Sequence, residues 1–231
     1  MQVVLVLCGL AAAGKSTWAQ AIAAEEGVVS VDKTAAVGLQ ETDQYDDFPT
    51  KVQLLPKVVS YDEEMANVSV EDEGAWKEER DRVKGKVKEL LIAQRHRLGQ
   101  SETGKGEERD LEEDGCELPM IGLMVVDDNM FYRSMRREYC QLAQELECGY
   151  CQVVVEVVGD GSPTSQATIL QERNAGREAD ARVERDTIDR MLLQWEEPRE
   201  KWERLTIRLN EKSSLSSGLA QVWTLVALAE R

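Results

Sequence analysis

The chain has 231 residues, and its 28 basic against 44 acidic side chains give a formal net charge of −16. This length predicts a single domain, and the acidic balance disfavours a large nucleic acid surface, because phosphate binding requires Lys and Arg. The longest apolar run, residues 3–13, is shorter than the ~20 residues that a membrane helix needs, so we expect no membrane span. Five cysteines are an odd number, which disfavours a disulfide framework and predicts a cytoplasmic protein.

The N-terminal segment predicts a strand, a glycine turn and a helix. Residues 3–8 are continuously apolar and rich in β-branched side chains, as in a strand buried on both faces of a parallel sheet. Residues 15–25 then place Trp18, Ala19 and Ile22 on one helical face.

The turn between them, GLAAAGKST, matches the phosphate-loop pattern G-x-x-x-x-G-K-[ST]. In such a loop the backbone N–H groups converge on phosphate oxygens, and the following helix directs its positive end at them. Lys15 would reach the β- and γ-phosphates, and the Ser16 hydroxyl would bind Mg²⁺. The predicted nucleotide-binding residues are Gly9, Ala12, Ala13, Gly14, Lys15, Ser16 and Thr17.

The rest of the chain alternates between predicted strands and helices. Strands are predicted at 28–31, 57–61, 121–126 and 152–158, and helices at 130–146, at 217–230 and, interrupted near Gly176, at 169–194. This alternation predicts an α/β fold in which helices cover both faces of a parallel sheet.

Two acids follow predicted strands. Asp127 ends the strand at 121–126 and is the magnesium candidate, because a nucleotide loop needs a second magnesium-organising acid on a neighbouring strand. For Asp128, the alternative to a role in this site is capping of the following helix. Asp62 follows the strand predicted at 57–61, at the sheet edge where ligands bind in α/β folds. It could serve as the carboxylate that a kinase places near its acceptor hydroxyl. Helix capping is the alternative for Asp62 too.

Phosphoryl transfer also needs cations near the γ-phosphate, and two arginine groups could supply them. Arg133, Arg136 and Arg137 follow Asp127, while the spacing of Arg173 and Arg177 would put both on one helical face. That pair suits a lid over the nucleotide; the alternative is a solvated helix whose arginines form salt bridges with neighbouring glutamates.

Residues 76–97 carry eight Lys or Arg against four acids, with Val83, Val87 and Leu91 at helical spacing. A basic amphipathic helix is predicted, with its apolar side packed on the core. Its charged side is either simply solvated or an RNA-binding face. Cys148 and Cys151 have C-x-x-C spacing, but their place between a helix and a strand favours a buried role for Cys151 over a redox role.

A resemblance to a known family rests on motifs spread along nearly the whole chain. They include CGLAAAGKST at residues 8–17, Tyr61-Asp62, VDDNMFYRSMR at 126–136, Arg173-Asn174 with Arg177, and LTI at 205–207. Together they resemble the L-seryl-tRNA(Sec) kinases, which phosphorylate serine esterified to selenocysteine tRNA. Three stretches depart from the family pattern and are expected to be inserted loops in one P-loop kinase domain spanning 1–231: 32–56, 98–118 and 159–168.

The resemblance implies ATP- and Mg²⁺-dependent phosphorylation of seryl-tRNA(Sec), with Asp62, Lys15 and Arg136 catalytic. If tRNA binds, Lys77, Lys84, Lys88, Arg133 and Arg137 are the expected contacts. The competing interpretation is a tRNA-stimulated regulatory ATPase of the Elongator-associated type, and a third is a catalytically silent interaction protein. Whether Asp62 acts as a base or only orients the hydroxyl stays open, as does the oligomeric state, for which a homodimer is one option.

Overall fold

The computed structural model describes residues 1–32, 35, 49–65, 73–103 and 118–229. Its strands are β1 (Gln2–Cys8), β2 (Gly27–Ser30), β3 (Lys51–Ser60), β4 (Met120–Asp127), β5 (Gly149–Glu156) and β6 (Thr206–Asn210). Its helices are α1 (Lys15–Ala24), α2 (Tyr61–Glu64), α3 (Glu73–Thr103), α4 (Arg133–Glu145), α5 (Pro163–Ala175), α6 (Arg185–Leu193) and α7 (Leu215–Ala229). Within these ranges the strands form one sheet in the order β2-β3-β4-β1-β5-β6.

The central strand β1 packs helices on both of its faces, which explains its unbroken apolar sequence. Val3, Leu5 and Leu7 belong to a core shared with α1 and α7, and Val4 and Val6 face the opposite core, shared with α3 and α4. All five side chains are fully buried. The predicted α/β fold with helices on both faces is confirmed.

The sheet differs from the prediction at its two edges. β2 pairs antiparallel with β3, so the sheet is not wholly parallel. A parallel pair would need a crossover element, and the sequence between these two strands has no helical pattern. At the other edge, β6 pairs parallel with β5 and was missed, because Ile207 and Leu209 are its only apolar residues.

Parts of all three predicted inserted loops belong to helices or strands. Residues 98–103 continue α3, in which Leu98 is buried. Residues 51–56 belong to β3, where Val52 and Leu54 are fully buried. Residues 163–168 form the first turns of α5, which begins with Pro163 at a position that suits proline, after the N-cap Ser162.

The predicted basic amphipathic helix corresponds to α3, where Val83, Val87 and Leu91 are fully buried against the sheet. Residues 33–34 and 36–48 of the first predicted insertion and residues 104–117 of the second lie outside the described residues. Among the described helices, none has the length and apolar character needed to cross a membrane.

Candidate active site

The loop after β1 has the backbone of a tight anion-binding turn. Gly9 has φ +150°, and a Cβ there would lie 2.3 Å from the Val155 carbonyl oxygen, so a side chain is excluded. Gly14 is the left-handed N-cap of α1, with φ 106°. Such a sharp turn before α1 is typical of a phosphate-binding loop, because the dipole of the following helix favours an anion at its N-terminus.

Lys15 extends across the mouth of this loop. Its Nζ donates to the Leu10 carbonyl oxygen and to Asn129 Oδ1, both at 2.9 Å. Burial lowers the pKa of Lys15, and the nearby carboxylates of Asp127 and Asp128 oppose that shift. The ammonium is thus held inside the site, close to where a phosphate on the loop would lie.

Asp127 meets the loop because parallel strands end at a common edge. Its backbone pairs in register with Leu7 of β1 on one side and with Ser60 of β3 on the other. Burial raises the pKa of Asp127, opposed by the charge of Lys15 and by a hydrogen bond with the Ser16 side chain. A hydroxyl and a carboxylate in contact are the hard oxygen ligands that Mg²⁺ prefers, so the donor set fits this ion.

Asp62 lies on the opposite wall, in α2 directly after β3. Its Oδ2 is 3.2 Å from Arg177 Nη2, and its side chain is 66% exposed, so it is accessible from the cleft. Arg173 donates to the Ala13 carbonyl oxygen from the same side, at 3.4 Å. The predicted common helical face is wrong in detail, since α5 ends at Ala175 and Arg177 follows its C-cap, yet both arginines face the loop.

These groups enclose a cleft of about 250 Å³. Its lining includes nine predicted site residues: Ala12, Gly14, Lys15, Ser16, Thr17, Asp62, Asp127, Arg173 and Arg177. Gly9 and Ala13 lie beside it and border a smaller cavity of about 120 Å³ behind the loop. The structure thus brings together the loop, both predicted acids and the two lid arginines.

Arg136 does not join them. Its side chain is fully buried, and Nε lies 2.8 Å from Glu203 Oε1 while Nη1 and Nη2 donate to the carbonyl oxygens of Met130 and Glu196. Every nitrogen of the guanidinium is occupied within the core. This placement contradicts the expected role of Arg136 at the active site and makes it a structural residue.

The expected RNA contacts lie outside the cleft, and most are engaged with other side chains. Arg133 pairs with Glu200 at 3.2 Å, and the Arg137 guanidinium lies 5.2 Å from the centre of the Trp202 ring. Lys84 and Lys88 bridge from α3 to carboxylates of α4. Lys77 is exposed near the start of α3.

Sequence reasoning missed Asn129 as a site residue. Its side chain holds Lys15, and its carbonyl oxygen accepts from Gly9 N at 2.9 Å, so one residue contacts both ends of the loop. Its position two residues after Asp127 is the available signal, because the residues that follow a strand at this edge face the neighbouring loop.

Sequence comparison relates the chain to one protein family and to one known kinase. A sequence model of the family described as chromatin associated protein KTI12 matches residues 117–230, just under half of the chain. The L-seryl-tRNA(Sec) kinase of Mus musculus is 28% identical over 165 residues, a match that covers 65% of this chain and 45% of the mouse protein. The chain therefore spans less than half the length of that curated relative.

Two solved structures illustrate what the chain is similar to, and the first of them shares its fold. Kti12 of Chaetomium thermophilum, in complex with ADP-AlF3, has a TM-score of 0.56 at 14% identity, covering 99% of both chains. The APS kinase CysC of Mycobacterium tuberculosis, in complex with AMPPNP and APS, has a TM-score of 0.48 at 11% identity, covering 97% of both chains. The class that fold and site define is a P-loop nucleotide-binding protein with the P-loop kinase fold.

Proposed function

We propose that this protein transfers the γ-phosphoryl group of ATP to an alcohol, and that the acceptor is the seryl hydroxyl of seryl-tRNA(Sec). The observation that carries the proposal is the position of Asp62, an accessible carboxylate across the cleft from Lys15 and the loop. A protein that only hydrolyses ATP needs to orient water, whereas a kinase needs a carboxylate beside the acceptor hydroxyl. Asp62 would orient that hydroxyl and accept its proton.

The remaining cleft residues suit the phosphate side of the reaction. The loop would hold the β-phosphate through backbone N–H groups, and Lys15 would contact the β- and γ-phosphates. Ser16 and Asp127 would hold Mg²⁺, which neutralises charge on the phosphates when it is bound. Arg173 and Arg177 would stabilise the charge that develops on the transferred group, because both side chains line the cleft.

The tRNA part of the proposal is supported by the resemblance and by the mouse relative, L-seryl-tRNA(Sec) kinase. A basic surface is available on α3, whose Lys77 is exposed and whose Lys84 and Lys88 lie at its rim with α4. An RNA phosphate would have to displace Asp81 and Glu138 from Lys84 and Glu145 from Lys88, because each ammonium is already paired. Binding by this helix would therefore be modest and sensitive to salt.

A second candidate is the tRNA-stimulated regulatory ATPase. The KTI12 family match over residues 117–230 and the whole-chain likeness to Kti12 favour it. It would use the same loop, Lys15 and Asp127, but Asp62 would have no acceptor alcohol to orient.

The two candidate functions predict that different additions stimulate ADP formation from ATP in the presence of Mg²⁺. Three additions are compared: seryl-tRNA(Sec), the same tRNA without serine, and free serine. A kinase accelerates only when a seryl hydroxyl is attached to the tRNA. Equal acceleration by the deacylated tRNA would favour the regulatory ATPase, and no turnover under any condition would contradict both.

A further inference from the structure

Arg80, in the first turns of α3, occupies an enclosed position beside the candidate active site. Its guanidinium carbon lies 4.6 Å from the centre of the Tyr61 ring and 4.9 Å from that of the Trp76 ring. One edge of the guanidinium remains for Asp128, whose Oδ2 is 2.6 Å from Nη1. The side chains of Arg80 and Asp128 are only 15% and 7% exposed, so water screens this pair weakly.

From Asp128 a short series of hydrogen bonds leads to the phosphate loop. Asp128 Oδ1 accepts from the Asn129 backbone N–H at 2.7 Å, and Asn129 Oδ1 accepts from Lys15 Nζ at 2.9 Å. The position of Asn129, and through it that of Lys15, therefore depends on the orientation of the Asp128 carboxylate. Arg80 is the cation that fixes this orientation.

The other contact of Arg80 leads to the opposite wall of the cleft. Tyr61, beneath the guanidinium, directly precedes Asp62 in α2. Its hydroxyl donates to the Arg80 carbonyl oxygen at 3.4 Å and also contacts the Tyr139 hydroxyl, so the ring is held at both its face and its tip. A single guanidinium thus contacts the residue before Asp62 and the residue after Asp127.

We propose that Arg80 is a positioning residue that holds Lys15 and Asp62 at their working separation. For the role of Asp62, this inference rests on the proposed function. For the role of Lys15, it rests only on the geometry of the loop. Both contacts suit a planar, delocalised cation, because the guanidinium carbon lies over two aromatic rings while Nη1 donates to the carboxylate. A lysine ammonium is a compact, strongly hydrated charge and cannot make both contacts.

The alternative is that Arg80 only anchors the N-terminal part of α3. Arg80→Lys tests this, because it keeps the charge and the helix propensity while removing the planar group. Asp128→Asn tests the other end of the same contact. Arg82→Met is the matched control: Arg82 is two residues along the same helix, 51% exposed, and paired with Glu79 and Glu64.

Three quantities are measured for each variant: the melting temperature, the Kd of ATP by fluorescence of a labelled analogue, and ADP formation with Mg²⁺ and seryl-tRNA(Sec). We expect Arg80→Lys and Asp128→Asn to remain folded, to bind ATP about threefold to tenfold more weakly, and to lose at least about tenfold in turnover, since small displacements of reacting groups cost rate steeply. Arg82→Met should match the wild type in all three.

An Arg80→Lys protein with wild-type ATP affinity and wild-type turnover would overturn the proposal, as would losses equal to those of Arg82→Met. If Arg80→Lys does not fold, Asp128→Asn decides by the same criteria. If the wild type forms no ADP, the proposed function fails, and the Kd of ATP alone decides whether Arg80 positions Lys15.

Discussion

Arg177 and Asp62 form an ion pair across the cleft, with 3.2 Å between Nη2 and Oδ2. The pair joins a cation at the end of α5 to the carboxylate that the sequence proposes as the base. An incoming γ-phosphate would compete with Asp62 for Arg177. Under the proposed function, phosphate binding would then free the carboxylate for an acceptor hydroxyl.

Asp62→Asn should leave ATP affinity within about threefold of the wild type while transfer falls by about 10²- to 10⁴-fold, the usual range for a positioned acid-base group. The substitution keeps the size of the side chain and removes only its charge. Glu63→Gln, at the next and exposed position, serves as the control and should be neutral. A parallel loss of ATP affinity would instead identify Asp62 as a magnesium ligand.

Lys15→Met should weaken ATP binding by about 10- to 100-fold, the value of one or two charged hydrogen bonds. The effect of Lys15→Met on folding stability should have the opposite sign to its effect on ATP binding. Burial lowers the pKa of Lys15, so the charged lysine costs free energy of folding at neutral pH, and this cost declines as the pH rises through the folded-state pKa.

The free energy of unfolding of Lys15→Met, measured with urea, should therefore equal or exceed that of the wild type at about pH 7. The difference should shrink as the pH approaches about 10, near the ordinary pKa of lysine. Lys57→Met, at an exposed position of β3, should show neither effect. A less stable Lys15→Met protein at neutral pH would mean that the contacts of Lys15 with Leu10 and Asn129 outweigh its burial.

Arg136→Met should destabilise the protein by about 3–5 kcal/mol, because it removes the 2.8 Å partner of the buried Glu203 carboxylate and leaves Arg133, at 3.9 Å, as its nearest cation. Combining it with Glu203→Gln should recover part of the loss. The control is Arg185→Met, which removes an exposed pair with Asp189 and should cost at most about 1 kcal/mol.

Turnover of Arg136→Met should fall only in proportion to its unfolded fraction. A large loss of turnover in fully folded Arg136→Met would restore the catalytic role that the resemblance implies. Urea unfolding and activity are therefore measured on the same samples.

Whether the sequence predicts a feature depends on how far apart along the chain the interacting residues lie. The loop, Asp127 and Asp62 are predictable because each is a local signal: a short motif or an acid directly after an apolar run. Parallel strands then bring the three together at one edge of the sheet. No longer-range information is needed.

Arg136 and β3 were misjudged for the opposite reason. The burial of Arg136 depends on Glu203, a residue 67 positions later, and no local pattern shows that a charged side chain will be matched in the core. β3 contains Pro56, which cannot donate to a strand ladder and so interrupts the strand pattern, although residues 53–60 pair in register with β4.

The proposed RNA-binding surface on α3 can be tested by changing the acidic side chains that pair with its lysines. Glu138→Gln with Glu145→Gln would release Lys88 and leave Lys84 with Asp81 as its one remaining partner, so tRNA affinity should rise and its salt dependence should steepen by about one to two phosphate contacts. Lys84→Glu with Lys88→Glu should have the reverse effect. Glu25→Gln with Glu26→Gln, beyond α1, changes net charge equally and controls for long-range repulsion. Equal responses in both glutamine pairs would remove α3 from the RNA-binding surface.

The central claim is tested most directly by the destination of the γ-phosphate. The protein is incubated with Mg²⁺, γ-labelled ATP and seryl-tRNA(Sec), the aminoacyl ester is then hydrolysed, and the labelled products are separated. The account predicts label in O-phosphoserine from the wild type and from Glu63→Gln, at a rate about 10²- to 10⁴-fold higher than from Asp62→Asn. Label found only as inorganic phosphate, at the same rate with seryl-tRNA(Sec) and with deacylated tRNA, would contradict it.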